Sequence, residues 1–155
     1  MSEYVYIMIG SILGAMGYAL LVKASVKSLC PIFIVSTLGA VVYCVCDSLE
    51  FSVFAAHMFS AFAVCTLSEI SARLWRMPAV VIMFPSLIPL VPGRPLYLAV
   101  SNIINSNYSA AFDNGETTLL VASGIAGGMI ISMVIFATVN TAILYVHKKM
   151  RKTKA

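Results

Sequence analysis

Charged residues are scarce in this chain of 155 residues, of which only 10% are charged and 61% are hydrophobic. About a quarter of an ordinary globular sequence is charged, because a soluble domain needs a polar surface. A chain dissolved in lipid has no such need, since its outer surface faces hydrocarbon. The scarcity of charge therefore excludes a soluble domain and predicts an integral membrane protein.

Signals for processing and cross-linking are also missing. The first residues, MSEYVYIMIG, contain no Lys or Arg ahead of the apolar run, so they lack the basic region of a cleavable signal peptide. The first apolar run is expected to remain as a helix. The cysteines lie within apolar runs without the paired spacing of a metal site or a disulfide framework, and we interpret them as packing residues. They are Cys30, Cys44, Cys46 and Cys65.

No catalytic signature can be recognised in the sequence. There is no Ser/His/Asp set, no cluster of metal ligands and no glycine-rich phosphate loop with a lysine. We therefore expect neither an enzyme nor a bound metal or cofactor. The net charge of +4 comes from short basic clusters between apolar runs, which indicate membrane topology and not a nucleic-acid partner.

Apolar runs long enough to cross a membrane occur in four places, since a hydrocarbon core of about 30 Å takes about 20 helical residues. They cover residues 4–22, 28–46, 51–72 and 119–146. A fifth, irregular crossing is predicted for residues 77–107. The chain is thus expected to form one all-α transmembrane domain of five helices, followed by a basic tail at residues 147–155.

Basic residues set the predicted orientation, because they favour the cytoplasmic side of a membrane. Lys23 and Lys27 follow the first run, and Arg73 and Arg76 follow the third. The last run is followed by Lys148, Lys149, Arg151, Lys152 and Lys154. The N-terminus is then outside and the C-terminus cytoplasmic, in the inner membrane of the cell. The chain between the third and last runs must cross an odd number of times, which gives five spans.

The fourth span is predicted to be broken at a Pro-Leu-Val-Pro-Gly segment. Pro89, Pro92 and Pro95 surround Gly93, and a proline removes a backbone donor and clashes with the preceding turn. A broken backbone at membrane depth is tolerated only where protein or a wet cavity surrounds it. Transporters use such breaks as binding sites. The alternative is a kink or re-entrant segment that binds no ligand.

Polar side chains predicted to lie at membrane depth suggest roles in transport. Arg94 is the only basic residue not assigned to the cytoplasmic side, and its guanidinium suits a carboxylate; the alternative is a place among headgroups near the outer surface. His57 and Glu69 are candidates for proton coupling. The alternatives are a packing role for His57 and an ion pair between Glu69 and Arg73. Asn102 is expected to line a cavity or approach the outer surface.

Small residues four apart occur in two of the predicted helices. Gly10 and Gly14 lie in the first helix, and Gly124 and Gly128 in the last. This spacing lets helix backbones approach closely in lipid. Packing against a partner and packing within the chain's own bundle are equally compatible with it.

One long stretch is similar to a known family. SEISARLWRMPAVVIMFPSLIPLVPGRPLY resembles the signature of the threonine/serine exporter family, in its C-terminal membrane half, which many bacteria encode as a separate small subunit. The pattern comprises a Glu, an Ala-Arg pair, a Pro opening the next helix, and a Pro-Leu-Val-Pro-Gly core followed by an aromatic residue. These are here Glu69, Ala72, Arg73, Pro78, residues 89–93 and Tyr97. Upstream, GYALLVKASVKSLCPIFIVSTLGAVVY resembles the family's first two helices.

The resemblance implies proton-driven secondary export of threonine and serine, together with a larger membrane subunit of the same family. Some split members are associated with dicarboxylate export, and a purely structural or assembly subunit is the remaining alternative. Five spans are few for a complete alternating-access transporter, which also indicates half of one. If the break binds substrate, the predicted site residues are Pro89, Pro92, Gly93, Arg94, Tyr97 and Asn102.

Overall fold

The computed structural model describes residues 2–153, and the side chains of residues 4–141. It is 88% helix, and the described residues contain no strand. The elements are α1 (Ser2–Leu21), α2 (Val26–Ser48), α3 (Val53–Trp75), α4 (Ala79–Leu87), a 3-10 turn (Ile88–Leu90), α5 (Gly93–Ile104) and α6 (Tyr108–Thr153). The predicted all-α membrane fold is confirmed.

Four of the described helices contain segments long and apolar enough to cross a membrane. These segments are Tyr4–Leu21, Val26–Ser48, Val53–Trp75 and Tyr108–Thr141. The α4 helix with its 3-10 turn and α5 form a further pair, which passes the same test together and bends by 50°. Counted as one span, this pair is the fifth crossing, so the predicted broken helix is present.

The break has a local cause in the prolines. Pro89 lies in the 3-10 turn, and Val91 leaves the helical region with φ −62° and ψ 134°. Helix α5 resumes directly after Pro92. Pro95, which the sequence placed in the break, lies in the first turn of α5, where a missing N–H costs no helical hydrogen bond. The interruption is therefore shorter than residues 89–95.

The core lies where α4 packs among α1, α2 and α3. Small and branched side chains fill it, including fully buried Ala15, Ile32 and Val64. Ser60 donates a hydrogen bond of 2.8 Å to the carbonyl oxygen of Gly39, so α2 and α3 approach closely. All four cysteines are free; Cys46 and Cys65 are buried, as packing residues should be, whereas Cys30 is exposed. α4, the first half of the broken span, is thus held inside the bundle.

Helix α6 runs along α3 in the same direction. The paired residues, in chain order on both helices, are Phe54 with Gly124, Met58 with Gly128, Thr66 with Ser132, and Arg73 with Asn140. Because the residue numbers rise together, the two helices are parallel. The chain between them must therefore return to the side of the bundle on which α3 starts. A single crossing by the bent pair provides that return.

The glycine pair of the last helix packs inside the bundle. A Cβ atom at Gly124 would lie 2.5 Å from the carbonyl oxygen of Phe54, and one at Gly128 would collide with the carbonyl oxygen of Met58. In the first helix, a Cβ at Gly14 would meet Pro89 at 3.9 Å, and one at Gly10 would meet nothing within 4 Å. For Gly124 and Gly128 the alternative of internal packing is the correct one.

Helix α6 begins at Tyr108, well before the predicted start at residue 119. The polar joint predicted there is helical, because its side chains bond to the helix's own backbone. Asn114, Thr117 and Thr118 each donate to a carbonyl oxygen four residues earlier, at 2.6, 3.0 and 2.8 Å. The side chains of the predicted basic tail, residues 147–155, lie outside the described residues.

Candidate substrate cavity at the proline break

A cavity of about 380 Å³ lies at the break, and we name it the Arg94 cavity. Its volume is in the range of small-molecule sites in proteins. Every spanning element contributes to it. Its lining comprises Ile7 and Ser11 of α1, Ala40 and Tyr43 of α2, Val53 and His57 of α3, residues 89–95, and Thr117 and Val121 of α6.

The break reaches the cavity because its backbone has left the helical path. The N–H of Val91 donates to the carbonyl oxygen of Ile88 at 3.1 Å, and that of Gly93 donates to Val91 at 2.7 Å. These short-range bonds replace helical ones around prolines that have no N–H to give. The first turn of α5 then starts at the cavity wall, where the N–H of Arg94, which has no backbone acceptor among the described residues, and the positive end of the helix dipole favour negative charge.

The structure brings four predicted substrate-binding residues and one proton-coupling candidate into this cavity. Pro89, Pro92, Gly93 and Arg94 line it together with His57. The break and the third helix are far apart in sequence, so the fold creates this group. The cavity is therefore the place where the predicted binding and coupling residues meet.

His57 is held at the cavity by two contacts. Its Nδ1 lies 2.8 Å from the carbonyl oxygen of Val53, and its ring meets the Tyr43 ring edge to face with centroids 4.9 Å apart. A carbonyl oxygen can only accept, so the bonded Nδ1 carries the proton and Nε2 is the free acceptor of the neutral ring. Among the described residues Nε2 has no protein partner. His57 thus combines a packing role with a ring nitrogen that can take up a proton.

Arg94 is exposed in the first turn of α5. Within the part of the chain whose side chains are described, it has no hydrogen bond and no ion pair. None of the described residues that line the cavity is acidic. A guanidinium without a protein partner presents its full set of donors, and those donors match a carboxylate in geometry and charge.

Two predicted site residues do not line the cavity. Tyr97 is 71% exposed, and it lies beyond Arg94 on α5. Asn102 is half-buried near the far end of the same helix. The 50° bend directs α5 away from the break, so these two side chains lie along α5 and outside the cavity.

Glu69 is also distant from the cavity. It follows His57 by 12 positions on α3, so the helical rise separates them by about 18 Å. The ion pair considered between Glu69 and Arg73 is not formed. Arg73 instead donates to Oδ1 of Asn140 at 2.8 Å and lies over the Phe136 ring at 5.4 Å. A parallel neighbouring helix, which the sequence did not reveal, competes for this guanidinium.

Three polar residues of the cavity were missed by the sequence analysis: Ser11, Tyr43 and Thr117. The signal in the sequence that could have identified them is their predicted depth in the membrane. Ser11, Tyr43 and His57 each lie within about three helical turns of the end of their helix that is predicted to be outside. Thr117 carried no such signal, because it was assigned to a joint and not to a helix.

Among the described residues, no group of three or more His, Cys, Asp or Glu side chains could hold a metal ion. The site offers instead a cation, hydroxyl groups and an imidazole in an otherwise apolar setting. Those groups can bind and orient a small polar solute.

A comparison with family models identifies the family of this chain. A family model described as "Threonine/Serine exporter, ThrE" matches residues 7–135. The chain belongs to the threonine/serine exporter family. The match includes every residue that lines the Arg94 cavity. No curated protein and no solved structure matches the chain.

Membership of the exporter family confirms the resemblance read from the sequence. The family is one of transporters and not of enzymes. The chain is accordingly a multi-pass membrane protein of a transport family, with a small molecule as the transported solute.

Proposed function

We propose that this chain is the small membrane subunit of a secondary exporter of threonine and serine, and that the Arg94 cavity is its contribution to the substrate path. The observation that carries the proposal is the position of Arg94, at a cavity built on a broken span and without a protein partner among the described residues. Broken spans with exposed helix ends are typical of transporter binding sites.

The carboxylate of the substrate is assigned to Arg94 and the start of α5. A fork of N–H donors and the positive end of a helix dipole both favour a negative group at this place. The hydroxyls of Ser11, Tyr43 and Thr117 are available for the substrate's own hydroxyl and ammonium groups. Together these groups can bind the polar parts of a small hydroxy amino acid.

Proton coupling is assigned to His57. Its Nε2 is free to gain a proton while Nδ1 binds the carbonyl oxygen of Val53 and holds the ring in place. A protonated imidazole in the cavity of Arg94 changes the net charge that the substrate meets. Glu69 is the second candidate, and it would act from another level of the same helix.

Export of a dicarboxylate is the second candidate function. The observation that favours it is the lack of any Asp or Glu among the described residues that line the cavity, which leaves a bound ammonium without a charged partner. Arg94 and a protonated His57 could instead bind one carboxylate each. Competition between succinate and threonine for the same exporter separates the two candidates.

A larger membrane subunit of the same family is proposed as the partner. Within this chain, only 11% of the residues in the apolar segment of α1 are buried, and 22% of those in the apolar segment of α6. Both helices therefore have wide surfaces available for contact with a partner. The proposed setting is the inner membrane, with the N-terminus outside and the C-terminus cytoplasmic, as the basic residues indicate. A purely structural or assembly subunit is the alternative.

The test is efflux of labelled threonine, serine and succinate from vesicles that hold the chain together with the larger-subunit candidate. Arg94→Ala is expected to abolish efflux without loss of the assembled complex, and Arg94→Lys to restore only part of it, because a point charge does not reproduce the bidentate fork. Lys27→Ala, which removes a charge outside the cavity, is the matched control. An assembled complex that exports none of the three solutes would contradict the proposal and support a purely structural subunit instead.

A further inference from the structure

A second cavity, of about 450 Å³, lies at the other end of α4, and we name it the Lys23 cavity. It is formed where the turn between α1 and α2 meets the connection from α3 into α4. Tyr18, Lys23, Ser25, Pro78 and Pro85 are among its lining residues. The broken span therefore has a cavity at each end of its inner half.

The two cavities share part of their chemistry, although only the Arg94 cavity also has an imidazole, that of His57. The Arg94 cavity has one basic residue, with Ser11 and Tyr43, and the Lys23 cavity has one basic residue, with Ser25 and Tyr18. No Asp or Glu is found among the described residues that line either of them. A solute whose carboxylate is bound by Arg94 in one cavity would find a second cation, Lys23, in the other, which binds as a point charge and not as a bidentate fork.

Only a thin partition separates the cavities. Pro85 lines the Lys23 cavity and Pro89 lines the Arg94 cavity, and these four positions correspond to about 6 Å of helical rise. On α1 the residue facing the partition is Ala15, which is fully buried, and the exposed Gly14 lies beside it. A Cβ atom at Gly14 would lie 3.9 Å from Cγ of Pro89, an ordinary van der Waals distance, so the turn lies one side-chain carbon away from the α1 backbone.

The partition is also poorly bonded for a helical segment. Neither Pro85 nor Pro89 can donate a backbone hydrogen bond. The turn over Ile88–Leu90 is a 3-10 helix, whose hydrogen-bond geometry is weaker than that of an α-helix. The hydrogen bond from Ser86 to the carbonyl oxygen of Ile32 is 3.5 Å long, at the limit for such a bond. Displacement of this turn breaks few backbone bonds.

We propose that the two cavities are the ends of one substrate path, which the turn from Pro85 to Pro89 closes against Gly14 in this structure. Lys23 takes the substrate carboxylate at one end of the path and Arg94 takes it at the other. Movement of the turn away from Gly14 opens the path between them. The inference rests on the proposed function, because it needs a carboxylate solute to be transported.

The first test fills the partition. Gly14→Leu places a branched side chain beside Pro89, where the path would open, and should lower efflux by about ten- to a hundredfold, which corresponds to a barrier about 1.4–2.7 kcal/mol higher. Gly10→Leu and Gly17→Leu are matched controls on the same helix, since a Cβ at either glycine meets nothing within 4 Å. All three variants are assayed as assembled complexes. Efflux by Gly14→Leu at the level of the two controls would overturn the proposal.

The second test needs no transport, so it separates failure of the path from failure of the proposed function. Single cysteines replace Ser11 in the Arg94 cavity and Ser25 in the Lys23 cavity, in a chain whose four native cysteines are removed. Ser25 makes no side-chain capping bond, so its replacement does not cost a helix cap. Membrane-impermeant thiol reagents should modify the two cysteines from opposite sides of the membrane. If both cysteines react from the same side, the result contradicts a path that opens at both ends. The same holds if one of the two cysteines does not react from either side.

Discussion

The parallel contact between α3 and α6 can be tested with a single methyl group. At Gly128 a Cβ atom would collide with the carbonyl oxygen of Met58 and would lie 2.8 Å from the amide nitrogen of Phe62. Both atoms belong to the backbone of α3, so rotation of a side chain cannot relieve the contact. Gly128→Ala must therefore push the two helices apart.

The expected magnitude follows from two opposing terms. Replacing a helical glycine by alanine favours the helix by about 1 kcal/mol, whereas overpacking a close contact typically costs about 1–3 kcal/mol. At Gly127 a Cβ atom would meet only the flexible Met58 side chain, at 3.9 Å, so Gly127→Ala has the gain without the cost. The difference between the two variants is expected to be about 1–3 kcal/mol, with Gly128→Ala the less stable.

The assay is reversible unfolding of the purified chain in mixed micelles or bicelles, with both variants measured under identical conditions. The comparison cancels the helix-propensity term, because the two glycines are neighbours on the same helix. Equal free energies of unfolding for Gly128→Ala and Gly127→Ala would refute the close approach of α6 to α3, and with it the argument from parallel helices to a single returning span.

Three further predictions concern charge, cavity space and topology. Lys23→Asn should raise the substrate concentration needed for half-maximal efflux. Assembly should remain intact, because asparagine tolerates the left-handed backbone of that position, φ 53°. Lys27→Asn is the control, and an equal effect of both substitutions would argue against the Lys23 cavity. Gly93→Leu should leave the fold unchanged, since a Cβ there meets nothing within 4 Å, yet reduce efflux by intrusion into the Arg94 cavity, a loss that a ligand-free kink would not show. Cysteines introduced at Ser2 and Lys154 should react from opposite sides of the membrane, and labelling of both from one side would contradict five spans.

Much of the fold could be predicted because lipid imposes strong rules on sequence. Helix length, hydropathy and proline chemistry are local properties, and they predicted the regular spans and the break at residues 89–93. The start of α6 was missed because its early polar residues, such as Thr117, bond to the helix's own carbonyl groups, a local solution that hydropathy does not register. The sequence also could not show that α3 and α6 are neighbours, and this contact determines the partner of Arg73.

The candidate site was predictable only in part, for a related reason. Residues on the break were identified because each one violates a rule for helices in membranes, as Arg94 and Pro92 do. Ser11 and Tyr43 violate none, and only tertiary packing brings them to the cavity. Tyr97 was predicted from the aromatic position of the family pattern and Asn102 from its polarity in an apolar helix, and neither signal contains the direction of α5. The 50° bend carries both residues away from the Arg94 cavity.

Two walls of the Arg94 cavity differ in how firmly they are held. The α3 wall is fixed at its cavity end, because a Cβ on Gly124 of α6 would lie only 3.4 Å from Cβ of His57. The same pair of helices is joined at its other end by the hydrogen bond from Arg73 to Asn140. Another wall is the proline turn, which has few backbone donors and leaves room for a Cβ at Gly14, 3.9 Å from Cγ of Pro89. A conformational change that opens one side of the cavity therefore breaks the fewest hydrogen bonds if α3 and α6 stay together and the turn moves.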